Sequence, residues 1–298
     1  MLLSAIEPGM MIGRYLVIAP LGRGGMGGVY EVEDEAGARF ALKAPIADAT
    51  PGGDITRRFA REANALRLLE HPNLVAAVDV FVEAGMLFLV MEKAAGDTLG
   101  RRLRAGGALP PRQALVFTRQ ILEGIGHAHA QGLVHRDLKP DNVILEPMGG
   151  PSGGWERIKI IDFGLVKLLG DVANAFGAGA LTSTGIVFGT PAYMAPEQAL
   201  GRLVDGRADL YAAGVMLFEM LVGRLPFSDP DPVAMMRLQA KAPPPRLDDV
   251  APGAPWVTPP LIALVEGALI KDAAQRLASA PVMIALLDEA FASLDHVA

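Results

Sequence analysis

His135-Arg136-Asp137-Leu138-Lys139-Pro140-Asp141-Asn142 is the stretch on which the reading of this chain turns, and Ile160-Ile161-Asp162-Phe163-Gly164 is its companion. Taken singly, Asp137 or Asp162 reads as a solvated loop carboxylate, the usual lot of an aspartate. Their weight comes from company and order. Upstream stand a glycine-rich stretch, Gly22-Arg23-Gly24-Gly25-Met26-Gly27-Gly28-Val29, and the run Phe40-Ala41-Leu42-Lys43; downstream stands Ala195-Pro196-Glu197.

The glycine stretch contains G-x-G-x-x-G, a weak signal alone. A dinucleotide-binding turn would continue into a helix, and a P-loop would need Gly-Lys-Ser/Thr next. Here the chain continues as a β-type run, Val29-Tyr30-Glu31-Val32. That predicts a hairpin whose glycines let backbone N–H groups approach anionic oxygens, with a plain flexible tip as the alternative. In the next strand Ala41 and Lys43 share a face. On the helix predicted over Asp54 to Glu70, residues Phe59, Glu62, Leu66 and Leu69 fall on one face. A carboxylate in an apolar stripe needs a partner, and Lys43 has the right charge.

Outward from these motifs, the first third reads as strands at Tyr15–Leu21, Val29–Glu33, Ala38–Lys43, Val78–Val82 and Leu87–Met91. After Gly96 the pattern turns helical, with candidates at Pro111–Gln131, Asp205–Val222, Val233–Ala240, Leu261–Ile270 and Pro281–Leu294. Pro147–Gly154 and Asp171–Ser183 read as loops, the first as an exposed insertion between two strands. Residues 1–13 read as an N-terminal extension. The 298 residues are 51% hydrophobic, enough for a sizeable core, and the net charge of −6 argues against a nucleic-acid partner. There is no cysteine, so disulfides and thiol nucleophiles are excluded. The longest apolar run, Leu210 to Phe218, suits a buried helix and is too short for a membrane span. The expectation is a soluble cytoplasmic chain, alone or as part of a membrane-anchored parent. His127 and His129, two apart, face different ways and read as surface or packing histidines.

With the motifs in this order the sequence resembles the protein kinase family, over about Arg14 to Leu294, and most resembles the eukaryotic-like Ser/Thr kinases of bacteria. The resemblance implies an α+β, bilobal protein kinase fold: a small β-rich N-lobe (14–91), a hinge (92–96) and a larger, mostly α-helical C-lobe (97–294). It implies ATP and Mg²⁺ (or Mn²⁺) as cofactors. It makes Asp137 the group that orients the substrate hydroxyl and accepts its proton, and Lys139 the cation on the γ-phosphate. Thr190 would bridge these two. Lys43, paired with Glu62, would reach the other phosphates, and Asn142 and Asp162 would hold the metal. Leu21, Gly22, Gly24, Gly25, Gly27, Val29, Ala41, Ile144, the gatekeeper Met91 and the backbone of Glu92 and Ala94 would surround the nucleotide.

Structural roles follow from the same resemblance: His135 beneath Phe163, Asp209 anchoring the catalytic loop, and Glu197 paired with Arg276. Thr182 and Thr184 match an autophosphorylation pair that Arg136 and Lys167 would bind. Protein substrates are the implied partners, with a homodimer through the N-lobe as one arrangement. The Arg101-Arg102-Leu103-Arg104 cluster reads as a solvated helix face or a surface for acidic partners. Two other classes remain as alternatives: a pseudokinase-like ATP-binding scaffold, disfavoured because Lys43, Asp137 and Asp162 are all present, and a small-molecule kinase on the same fold.

Overall fold

The computed structural model describes residues 6–24, 27–45, 69–84, 86–149, 154–162 and 191–295. They fall into two units, 6–94 and the remainder from 95 onward. The first unit is an antiparallel sheet of six strands: β1 (Met11–Ile12), β2 (Tyr15–Gly24), β3 (Gly27–Glu33), β4 (Arg39–Pro45), β5 (Ala77–Glu83) and β6 (Met86–Glu92), in the order β1-β2-β3-β4-β6-β5. Alternation puts Val17, Tyr30, Val32, Leu42 and Val90 in its core. Stacked rings extend that core, with Phe81 between Tyr15 (6.0 Å) and Phe88 (5.5 Å). The sheet thus begins at Met11, within the stretch read as an extension. Although β1 and β5 end the strand order, Gly13 N–H donates to Glu83, and Tyr15 Oη (3.1 Å) and Arg14 (3.2 Å) reach Asp79 Oδ2. These bonds tie the β1–β2 turn and the start of β2 to β5.

The second unit is mostly helical. It contains α1 (Leu99–Gly106), α2 (Pro111–Ala130), α3 (Pro196–Ala199), α4 (Arg207–Val222), α5 (Pro232–Lys241), α6 (Leu247–Val250), α7 (Pro259–Ala268) and α8 (Ala280–Asp295), with a small sheet of β7 (Asp97–Thr98), β8 (Val143–Met148) and β9 (Trp155–Ile160). Every residue of α4 from Ala208 to Phe218 is buried, as befits a helix apolar on all sides. It packs on α2 and α7, and Gly214 allows close approach: a Cβ there would lie 2.6 Å from the Ala268 methyl. The helix starts at Arg207 rather than Asp205, because the Asp205 carboxylate accepts from Arg207 N–H (2.9 Å) and caps the turn from outside.

The stretch read as an insertion from Pro147 is strand up to Met148, which pairs with Trp155. Proline is tolerated there because β7 pairs only with Ile144 and Leu145, so β8 has an open edge at Pro147. The arginine cluster lies on an exposed helix face, as read from the sequence, and each arginine there has a carboxylate partner. Arg101 pairs with Asp97 (2.8 Å), Arg102 with Glu156 (2.6 Å) and Arg104 with Asp141 (2.8 Å).

Gly96 enters this unit at φ +122°, where a Cβ would sit 2.1 Å from the Leu145 carbonyl oxygen. Gly96→Ala combines a forbidden backbone region with a backbone clash. It is expected to lower stability by about 2–3 kcal/mol, read as a drop in the urea midpoint.

Candidate active site

The stretch His135–Asn142 is a loop closed by a short 3₁₀ turn, Pro140–Asn142, with Leu138 buried beneath it. Lys139 Nζ donates to Asp137 Oδ2 at 2.9 Å. Asn142 Nδ2 donates to the Asp137 carbonyl (2.8 Å) and to Asp137 Oδ2 (3.3 Å). Both of those partners are acceptors only, which fixes the orientation of the Asn142 amide.

The loop hangs on a core helix. Asp209, in the first turn of α4 and 1% exposed, accepts from His135 N–H and Arg136 N–H, each at 2.8 Å. His129 Nε2 lies 2.8 Å from the same carboxylate. His129 thus faces the loop anchor from the last turn of α2 and is no bystander. Gln198 Nε2 donates to the Arg136 carbonyl (2.8 Å) while its Oε1 accepts from Ala195 N–H (3.1 Å), tying α3 to the loop. The fully buried His135 accepts from Asp137 N–H at Nδ1 (3.3 Å), so Nε2 carries the proton and donates to the Ile161 carbonyl (2.9 Å). One imidazole therefore spaces the loop from the strand end that carries Asp162.

The β8–β9 register completes the arrangement. Val143 pairs with Ile160, and Ile161 N–H donates to the Asn142 carbonyl (2.9 Å), so Asn142 and Asp162 flank the same strand end. Apart from the turn residue Ala84, the non-glycine residues with positive φ among those described are Arg136 (+63°) and Asp162 (+61°). Left-handed backbone at such positions is costly and tends to collect at functional sites. The donor set suits a hard divalent cation. With the Asn142 NH₂ turned to Asp137, its Oδ1 is the amide atom left to meet a cation, and the Asp162 carboxylate is the anionic group at the same strand end. Among the described residues no group of three or more His, Asp or Glu could hold a metal alone. A divalent cation held here would complete its shell with water and phosphate oxygens.

In the first unit, β2 and β3 pair as far as Gly24 and Gly27, with Gly22 opposite Val29. Lys43 lies between Val29 and Leu89, and Ala41 between Glu31 and Met91. Ala41 and Met91 are buried, while Leu21 is 47% exposed. Glu92 N–H donates to the Ala76 carbonyl (2.9 Å). Ala94 closes this unit, and Ile144 lies on β8 of the second. Gly25, Glu62, Phe163, Lys167, Thr182, Thr184 and Thr190 lie outside the described residues.

Arg276 and Glu197 meet in a bidentate pair (2.7 and 2.9 Å). Arg276 also donates to the carbonyls of Ile270 (2.9 Å) and Arg207 (2.7 Å). Before α3, the 3₁₀ turn Pro191–Tyr193 is held by Tyr193 Oη donating to Glu219 Oε2 (2.6 Å). Burial pushes the Glu219 carboxyl up, with Tyr193 acting in the opposite sense.

A family profile described as Protein kinase domain matches residues 15–287. The chain belongs to the protein kinase domain family. It is 39% identical over 90% of its length to serine/threonine-protein kinase pkn2 of Myxococcus xanthus, and 39% identical over 78% to PrkC of Bacillus subtilis. It spans about a third of the length of these curated relatives (31% and 34%). The fold matches the kinase domain of Mycobacterium tuberculosis PknI with a TM-score of 0.72 and 26% identity, covering 96% of this chain and 100% of that one. The fold is therefore the bilobal protein kinase fold, one sheet-based unit and one helical.

Proposed function

We propose that this chain is the catalytic domain of a Ser/Thr protein kinase that moves the γ-phosphate of ATP onto protein hydroxyls. The observation that carries the reading is the loop in which Lys139 and Asn142 both converge on Asp137, with Asp162 set beside Asn142 by strand register. In this chemistry the substrate hydroxyl oxygen bonds to the γ-phosphorus, the bond to the β–γ bridging oxygen breaks, and ADP departs. Asp137 orients the hydroxyl and takes its proton. Lys139 faces the transferring phosphoryl group, and Lys43 the remaining phosphates. Asn142 and Asp162 would hold Mg²⁺, which neutralises charge on the phosphate oxygens when bound. The class of acceptor is supported by Lys139 two residues after Asp137 and by the segment from Gly189 to Glu197.

Activation by phosphorylation at Thr182 and Thr184 belongs to this proposal. A phosphothreonine brings about −1.5 to −2 charge, which Arg136 and Lys167 would meet. Among the described residues no helix is long and apolar enough to cross a membrane.

The test is incubation with γ-labelled ATP and Mg²⁺, alone and with a generic protein substrate. Label on either protein supports the reading; transfer to a small metabolite alone overturns it. Phosphosite mapping of the active protein that finds neither Thr182 nor Thr184 modified removes the activation step. Asp209→Asn places an NH₂ against two backbone donors and shifts the loop. It is expected to lower kcat about a hundredfold, since misplacement near 1 Å costs that much, with the ATP KM little changed in steady-state assays.

A further inference from the structure

The turn Pro191–Tyr193 carries a second tether, made of buried side chains that the phosphotransfer reading leaves without a role. Gln239 on α5 is fully buried, and its Nε2 donates to the Ala192 carbonyl. Its Oε1 accepts from Tyr211 Oη at 2.6 Å, from a tyrosine on α4 that is also fully buried. Tyr211 Oη in turn accepts from Lys271 Nζ at 2.7 Å. The Lys271 ammonium lies 4.2 Å from the centre of the Phe227 ring and 5.1 Å from that of Tyr211.

The chemistry gives this chain a direction. A lysine ammonium only donates, so Tyr211 must accept from it and spend its own proton on Gln239 Oε1. That leaves the Gln239 NH₂ for Ala192. A neutral amine has a lone pair and can accept from Tyr211, which releases Gln239 Oε1 and with it the amide's orientation. We propose that Gln239 is a positioning residue for the segment Pro191–Tyr193, and that the charge on Lys271, relayed through Tyr211, sets its orientation. The proposal rests on reading that segment as part of the surface that receives the protein substrate.

Burial, reinforced by the Arg276 guanidinium, lowers the Lys271 ammonium to about 7, while the two ring faces favour its charged form. Among the described residues the charged group acting on it is Arg276, which lies 5.0 Å from the centre of the same Tyr211 ring and is itself paired with Glu197. α5 brings Gln239 to the cluster, a side chain without charge. The relay therefore lies in its donor state below neutrality and loses it as pH rises through that value.

The test uses the full chain, γ-labelled ATP and casein as acceptor. Gln239→Met is expected to raise the casein KM about tenfold, the effect of one hydrogen bond, with the ATP KM within about twofold of wild type by the same reckoning. In wild type the casein KM rises between about pH 6 and 8. Lys271→Arg, a permanent cation, is expected to hold the low value across that range, and Lys271→Met the high one. Equal effects of Gln239→Met on both KM values, no effect on either, or a wild-type pH profile in both Lys271 variants would overturn the proposal. Backbone amide exchange at residues 192–195 gives a readout that needs no turnover. It should quicken in Gln239→Met and Lys271→Met alike, and unchanged exchange in both rejects the tether. A protein that transfers no label yet shows this quickening keeps the tether and defeats the kinase reading instead.

Discussion

Asp137→Asn is expected to lower kcat about a thousandfold, within the range a positioned general base supplies, while the ATP KM stays near its original value. The substitution keeps the size and the acceptor oxygen of the side chain. The amide oxygen can take the place of Oδ2, where Lys139 Nζ donates at 2.9 Å and Asn142 Nδ2 approaches at 3.3 Å. The side chain therefore keeps an acceptor for both donors and loses its proton-accepting charge. On the proposed reading nucleotide affinity draws on groups elsewhere, so kcat and KM should separate. Steady-state kinetics with a protein substrate checks the split, and phosphosite mapping beside wild type should show autophosphorylation lost.

Arg276→Met is expected to cost about 3–5 kcal/mol, the penalty for stripping a buried charge of its partner. The Arg276 side chain is fully enclosed and Glu197 is 9% exposed. Methionine would fill much of the volume but leave the Glu197 carboxylate uncompensated and the carbonyls of Ile270 and Arg207 without their donors. The pair Arg101–Asp97 has a similar distance but is 70% and 55% exposed, and losing it should cost at most about 1 kcal/mol. Urea unfolding of both variants measures the contrast. A double change of Arg276 and Glu197 to apolar residues should recover part of the loss, because no lone charge remains.

Much of the architecture was legible because local pattern and tertiary placement agree. The alternation through Val29–Glu33 and Phe40–Lys43 marks strands that do pair, and the unbroken apolar run at Leu210–Phe218 marks the helix at the centre of its unit. The loop His135–Asn142 stood out for another reason: its residue types and spacing are those of the family to which the chain belongs. What the sequence concealed depends on partners distant along the chain. His129 looked like a packing histidine since its partner, Asp209, lies on another helix. Gln198 and Gln239 offer no periodicity or charge to draw the eye, and their roles come from carbonyls at Arg136 and Ala192. The arginines at 101, 102 and 104 do lie on a largely exposed helix face, and what the sequence concealed is their pairing, since Glu156 and Asp141 come close only after folding. Pro147 suggested a loop, and only the early end of β7 shows why a strand can accept it.

The left-handed turn of the chain at Asp162 has a consequence for what can replace it. Glycine accepts that twist without strain but brings no oxygen. Glutamate keeps the acid yet lacks the short, locally bonding side chain that makes the twist tolerable. Asparagine tolerates the twist and gives up the negative charge. No single exchange preserves both the hand of the backbone and the charged oxygen pair that the proposed metal site would use, so on that reading this position has almost no neutral neighbours among the twenty amino acids.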